Sequence, residues 1–267
     1  MKVWLDGKII DAAAAPINPT DRGFTLGDGL FEILKVVGGK PLRLSSHLAR
    51  LHAGAGALGI PLPLGDKDCG RAMSALLEAN GLTNAILRLT VTRGPAPPGL
   101  ASPAETRPTL LILAAPPPPE PPPARAIIAT NTRRNEFSPT SRFKTLNNLD
   151  NVLARREAEQ KGADEALLLT SQGRHAGSTA ANLFVVIDGD VLTPPVSEGA
   201  LPGVMRAEVI DRLSAATSPL HPADLGTASE AFLTNACGIR ALVSVDGKPI
   251  GKGREGPLTT RLKSAVG

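Results

Sequence analysis

Tyrosine is missing from all 267 residues, and aromatic residues of any kind make up only 3% of them. No phenol is therefore on hand as an acid, a base or a cofactor partner. Cysteine is nearly as scarce. Cys69 and Cys237 stand far apart, and neither falls in a metal-ligand or redox spacing. That pattern offers no cysteine-based metal site or dithiol motif, and it suits a reducing cytoplasm, the expected location. No block of consecutive Lys or Arg accompanies the net charge of +4, which argues against nucleic acid or an anionic membrane as partner. The opening Met1–Gly7 lacks an apolar signal core, and no later stretch approaches membrane-spanning length. Internal repeats are absent too.

What remains is a chain long enough for one large or two modest cores, with an ordinary apolar fraction of 42%. Val3–Leu5 and Lys8–Ile10 flank Asp6-Gly7, the signature of a tight hairpin. A second hairpin is expected around Gly38-Gly39, followed by a helix capped by Ser45 or Ser46 and ending near Gly59. Further helices are expected at 66–80, 148–161 and 203–213, with strands at 85–92, 109–114, 127–131, 166–170, 183–187, 230–234 and 242–245. Residues 116–123 hold seven prolines and one glutamate, so they suit neither a helix interior nor a central strand. They read as a stiff linker between a small N-terminal α+β domain, 1–115, and a larger C-terminal domain, 124–267. Strands outnumber helices without regular βαβ alternation, which points to an α+β fold of two domains.

Phe143-Lys144-Thr145-Leu146-Asn147 stands just before a long helical pattern and reads as a buried lysine. Lysine is rarely buried without a reason. A desolvated amine favours its neutral form and attacks aldehydes, and the aldehyde implied is pyridoxal phosphate.

Three other segments keep it company: Asp21-Arg22-Gly23-Phe24-Thr25-Leu26-Gly27-Asp28-Gly29-Leu30-Phe31-Glu32, His47-Leu48-Ala49-Arg50-Leu51, and Leu201-Pro202-Gly203-Val204-Met205-Arg206. In this order the four resemble the class IV, or fold-type IV, pyridoxal phosphate enzymes, over nearly the full length of the chain. That family includes branched-chain and D-amino-acid aminotransferases and 4-amino-4-deoxychorismate lyase. The resemblance implies that Lys144 holds pyridoxal 5'-phosphate as an imine and shuttles the substrate proton. Arg50 would grip the phosphate with its fork of donors, joined by backbone N–H groups at Val204 and Met205 and by Asn235 and Ala236. Gly177 and Ser178 would lie beside the cofactor ring. Phe31, Glu32, Arg88 and Arg93 would face substrate, and Glu32 would point into the site near Lys144. A homodimer is implied as well, in which the loop after Arg93 completes the neighbour's pocket.

The departures from the family pattern are informative. Where most of the family has a glutamate for the pyridine nitrogen, counting back from Asn182 reaches Gly177. Arg174 or His175 is the substitute the sequence offers. Asn148 stands where the aminotransferases have a tyrosine, and Pro98 and Leu100 occupy the carboxylate-trap positions of D-amino-acid enzymes. Arg88 and Asn235-Ala236 look lyase-like, whereas Ile33 replaces the threonine common in lyases. The leading expectation is a transaminase working between an amino acid or small amine and a 2-oxo acid. The alternatives are a lyase forming 4-aminobenzoate and pyruvate, and a non-catalytic cofactor-binding homologue.

Overall fold

The computed structural model describes residues 1–266 and divides the chain into two compact units. Residues 1–118 and 143–147 form the first, and 119–142 with 148–267 form the second.

In the first unit the chain runs through β1 (Lys2–Leu5), β2 (Lys8–Asp11), α1 (Arg22–Leu26), β3 (Gly29–Val37), β4 (Lys40–Pro41), α2 (Leu44–Leu58), α3 (Asp66–Ala79), β5 (Ala85–Thr92) and β6 (Leu110–Ala115). The strands make one antiparallel sheet in the order β2-β1-β6-β5-β3-β4. Apolar side chains recur on α3 at Cys69, Ala72, Met73, Leu76 and Leu77, the 3.6-residue period of a helix with one buried face. These pack with Leu48 and Leu51 of α2 and with Leu30, Leu34, Leu87 and Leu89 of the sheet. Both expected hairpins form, and α2 ends at Gly59 as anticipated. Its start differs. The β3–β4 hairpin delivers the chain with Arg43 in the left-handed conformation, and Arg43 O accepts the first helical bond from His47 N, so the helix begins before either serine.

The second unit contains β7 (Ala124–Ile128), α4 (Leu149–Gln160), β8 (Glu165–Leu169), β9 (His175–Ser178), β10 (Asn182–Ile187), β11 (Asp190–Thr193), α5 (Val204–Leu213), β12 (Ala216–Thr217), β13 (Glu230–Asn235), β14 (Gly238–Val245), β15 (Lys248–Pro249) and α6 (Pro257–Val266). Its nine-stranded sheet is mixed, in the order β12-β11-β10-β13-β14-β7-β8-β9, with β15 paired to β14. One face packs through Leu183, Val185, Leu233 and Leu242, the other through Phe184, Phe232, Met205 and Val209. The rings of Phe184 and Phe232 stack at 5.1 Å. The mixture of helices and sheets is the α+β class expected.

Strand β7 stops at Ile128, short of the expected Asn131, because a carboxylate claims the next donors. Glu157 of α4 accepts from Thr130 N at 3.0 Å and Asn131 N at 3.1 Å, and Lys161 Nζ donates to it at 2.7 Å. Burial alone would raise the Glu157 carboxyl, but these donors win and pull it down to about 2. A carboxylate with a depressed folded value stabilises the protein above its unfolded value near 4.5 and loses that contribution as pH falls toward about 2. Glu157→Ala is therefore expected to cost about 2 kcal/mol at neutral pH. In urea unfolding the gap from the parent protein should shrink steadily between pH 4.5 and pH 2.

Candidate active site

Strand β3 builds the lysine's surroundings in the first unit. Successive side chains on a strand point to opposite faces, so Leu30, Glu32 and Leu34 turn one way and Phe31 the other. Leu30 and Leu34 enter the core against α2 and α3. Along the edge of β3 the lysine segment is laid down as a short antiparallel partner. Phe31 N donates to Lys144 O at 2.9 Å, Leu146 N donates to Gly29 O at 3.0 Å, and Leu30 bridges to Thr145. These bonds bring the Lys144 amine to 4.2 Å from the centroid of the Phe31 ring. Arg88, opposite Ile33 in the β3–β5 register, sets its guanidinium 3.9 Å from the same centroid. Lys144 is half-buried rather than fully buried as the sequence suggested. Its stem lies along the sheet edge, where the ring face attracts a cation.

Arg88 is unusual among the arginines of this unit. Its guanidinium has an aromatic face but no carboxylate or hydrogen-bond acceptor among the described residues, and burial lowers its pKa. Such a group is short of an anion.

Glu32 lies on the opposite side of the strand from Phe31, so its carboxylate points under α2 rather than toward the Lys144 amine. It is 1% exposed and accepts from Arg50 Nε at 2.8 Å, Arg50 Nη2 at 2.6 Å and His47 Nδ1 at 2.7 Å. Burial alone would raise this carboxyl; the guanidinium and the imidazole override it and hold it below the usual range. Arg93 is also committed within the protein. Its Nε and Nη2 donate to Asp28 at 2.7 and 3.2 Å, and Nη1 and Nη2 donate to the carbonyls of Gly59 and Leu58 at 2.9 and 2.7 Å.

In the second unit a different set gathers at the strand ends. Asn182 of β10 pairs with Thr234 of β13, and its Nδ2 donates to Leu201 O at 2.8 Å just before α5. A side chain at Gly203 would collide with Asn182 Oδ1, so glycine lets the N-terminus of α5 close onto the strand. No side chain caps that helix end, where Val204 and Met205 begin the first turn. Asn235 Nδ2 donates to Ala180 O at 3.3 Å, and Ala236 follows in the β13–β14 turn. The hydroxyls of Ser178 and Thr234 are buried and lack partners among the described residues. An uncapped helix N-terminus offers backbone N–H donors to an anion such as a phosphate ester.

Gly177 carries no acid, and its backbone makes one hard to install. Its φ is +149°, and an added Cβ would lie 3.0 Å from Ala181 O. Of the two substitutes named from sequence, Arg174 is spoken for. Its Nε and Nη2 donate to Glu198 at 2.9 and 2.8 Å. His175 is fully enclosed, has both ring nitrogens without partners among the described residues, and is pushed by burial down to about 4.

Sequence reasoning quoted His47 and Asp28 only as parts of motifs and missed what each grips. A signal existed. His47 and Arg50 stand three apart on α2 and so share a face. If the Glu32 cluster holds Arg50 in place, Glu32→Ala should cost about 3 kcal/mol in denaturant unfolding. The double variant Glu32→Ala/Arg50→Met should recover part of that loss, since it leaves no buried cation uncompensated.

The family model for class IV aminotransferases matches residues 29–245. A D-alanine aminotransferase of Bacillus licheniformis is 28% identical over all of this chain and 96% of its own length. Among solved structures, a 4-amino-4-deoxychorismate lyase from Pseudomonas aeruginosa is 34% identical, with a TM-score of 0.85 over 99% of this chain and 97% of the other. A branched-chain amino acid aminotransferase from Escherichia coli is 26% identical, with a TM-score of 0.91 over 99% and 92%. Since that family model spans most of its length, the chain belongs to the class IV aminotransferases, a family of pyridoxal phosphate enzymes.

Proposed function

We propose that this protein is a pyridoxal phosphate-dependent transaminase moving an amino group between an amino acid or small amine and a 2-oxo acid. The observation that carries the proposal is the Lys144 amine and the Arg88 guanidinium sharing one aromatic ring. A primary amine beside an arginine short of an anion suits a substrate that reacts at one end and carries a carboxylate at the other.

Pyridoxal phosphate, when bound, supplies an aldehyde carbon and an electron-withdrawing ring. Lys144 would hold the aldehyde and move the proton at the substrate α-carbon. In the first unit Arg50, kept in one orientation by Glu32 and His47, is the proposed phosphate donor; in the second, the backbone of Val204 and Met205 and the Asn235-Ala236 turn are the proposed phosphate contacts. Ser178 has the unclaimed hydroxyl for a further contact, beside Gly177 on β9. Arg88 and Phe31 would orient the substrate. Glu32 and Arg93 serve this scheme from behind, because their polar atoms are engaged within the protein.

A second reading, 4-amino-4-deoxychorismate lyase, is supported by the 34% identity to the Pseudomonas aeruginosa enzyme and by the missing acid at Gly177. Aromatisation of the product helps to drive that reaction and asks less of the ring as an electron sink.

A homodimer is part of the proposal. Leu149, Val152 and Leu153, at i, i+3 and i+4 on α4, are 69%, 58% and 44% exposed, an apolar stripe suited to a partner surface. A reducing cytoplasm is the proposed setting, supported by a chain with only two cysteines, Cys69 and Cys237, far apart in sequence. No helix among the described residues is long and apolar enough to cross a membrane.

Borohydride treatment of the holoprotein followed by peptide mapping is expected to fix the vitamin at Lys144 alone; labelling elsewhere would overturn the assignment. Single amino acids should then convert the cofactor to its amine form if transamination is the activity, whereas pyruvate released from aminodeoxychorismate without such conversion would select the lyase. Arg88→Leu should raise KM about tenfold or more for carboxylate substrates. Val152→Asp should shift the sedimenting species from dimer to monomer.

A further inference from the structure

Asp28 stands between two glycines and touches none of the groups assigned to chemistry, yet it is held from two sides. Arg22 Nε donates to its Oδ2 at 2.8 Å and Arg93 Nε to the same oxygen at 2.7 Å, while Arg93 Nη2 reaches Oδ1 at 3.2 Å. The two arginines are only 5% and 7% exposed. Neither is a mobile surface charge, because their remaining donors are spent on backbone. Arg22 Nη1 donates to Gly99 O and Ala101 O at 3.0 and 3.1 Å, and Nη2 to Leu100 O at 3.2 Å. Arg93 ties down the carbonyls of Leu58 and Gly59 at the end of α2. One carboxylate thus balances two buried guanidinium groups that also fix a loop tip and a helix end.

The flanking glycines face another way. Gly27 has a φ of +68°, and a Cβ there would lie 2.7 Å from Asn147 Oδ1; a Cβ on Gly29 would lie 2.6 Å from Val91 O and 2.8 Å from Leu146 Cδ1. Both positions therefore let residues 146 and 147 pack directly on the backbone. Asn147 Nδ2 donates to Gly27 O at 3.2 Å, Leu146 N to Gly29 O at 3.0 Å, and Phe31 N to Lys144 O at 2.9 Å.

We propose that Asp28 is a positioning residue for Lys144: pinned between Arg22 and Arg93, it fixes the 27–29 backbone as the ledge to which residues 144–147 are hydrogen-bonded. Asp28 acts through the ledge and not on the reacting atoms. The inference rests on the reading of Lys144 as the reactive amine, since only then does its placement matter to turnover.

Asp28→Asn keeps the shape and removes the charge. In the holoprotein, amide exchange followed by NMR is expected to quicken at least about tenfold at Phe31 and Leu146, with Ile112 of β6 and Phe232 of β13 unchanged. Turnover should fall about tenfold in kcat with KM held within about twofold, because the amine is displaced while substrate contacts persist. Unchanged exchange at Phe31 and Leu146, equal acceleration at all four amides, or a change confined to KM would each overturn the proposal. Should Asp28→Asn fail to fold with two unbalanced arginines, Arg22→Gln leaves one cation on one carboxylate. It should quicken the same two amides by a smaller factor, and normal exchange there would count equally against the idea. Amide exchange needs no turnover, and borohydride mapping does not depend on Asp28. Loss of the label at Lys144 would thus sink the functional reading, and normal exchange would sink this one.

Discussion

Period-two alternation along β3 is the constraint on which the lysine's surroundings depend. A strand must send neighbouring side chains to opposite faces, so three consecutive residues do three different things. Leu30 enters the core, Phe31 meets Lys144 and Arg88, and Glu32 passes under α2 to His47 and Arg50. A slip of one residue in register would exchange these faces. It would put a carboxylate beside the amine and leave Arg50 without its anchor. The continuous pairing of β3 with β5 from Gly29 to Val36 keeps that from happening.

Electrostatics sort the buried and half-buried ionisable groups into those that build and those that are available. Glu32, Asp28, Glu157 and Glu198 are saturated by cations or by N–H donors. Burial without such partners costs several kcal/mol for a charged group, so these contacts are the condition under which the charges remain inside. Among the described residues, Arg88 has a ring face and no carboxylate partner. His175 answers the same pressure differently, becoming neutral because imidazole gives up its proton far more readily than guanidinium. Polar atoms remain unclaimed among the described residues at the buried hydroxyls of Ser178 and Thr234.

Much of the architecture was legible from local chemistry. Asp6-Gly7 announced a hairpin, Gly59 the end of α2, and the 66–80 pattern a helix, because each depends on residues close in sequence. Less legible were elements whose limits are set by distant groups. Strand β7 ends early because Glu157, nearly thirty residues on, takes the donors of Thr130 and Asn131. The start of α2 follows from the hairpin before it and not from the serines. The four-residue strand β9 is too short for its alternation to stand out, and its pairing with β8 is interrupted by a register shift.

The sequence by itself determined which residues are the candidates for chemistry here. A lysine in a Phe-Lys-Thr-Leu-Asn run, an Arg three residues after a His and a Pro-Gly before a helix are chemical identities, and no folding is needed to read them. Only the tertiary structure decided their directions and partners. It turned Glu32 away from the Lys144 amine toward Arg50, committed Arg93 to Asp28, set Arg88 over the Phe31 ring, and held Lys144 half-buried at a sheet edge. The reason is physical. Which side chain a charge meets depends on strand register and helix docking, and those are fixed by contacts between residues far apart in the chain.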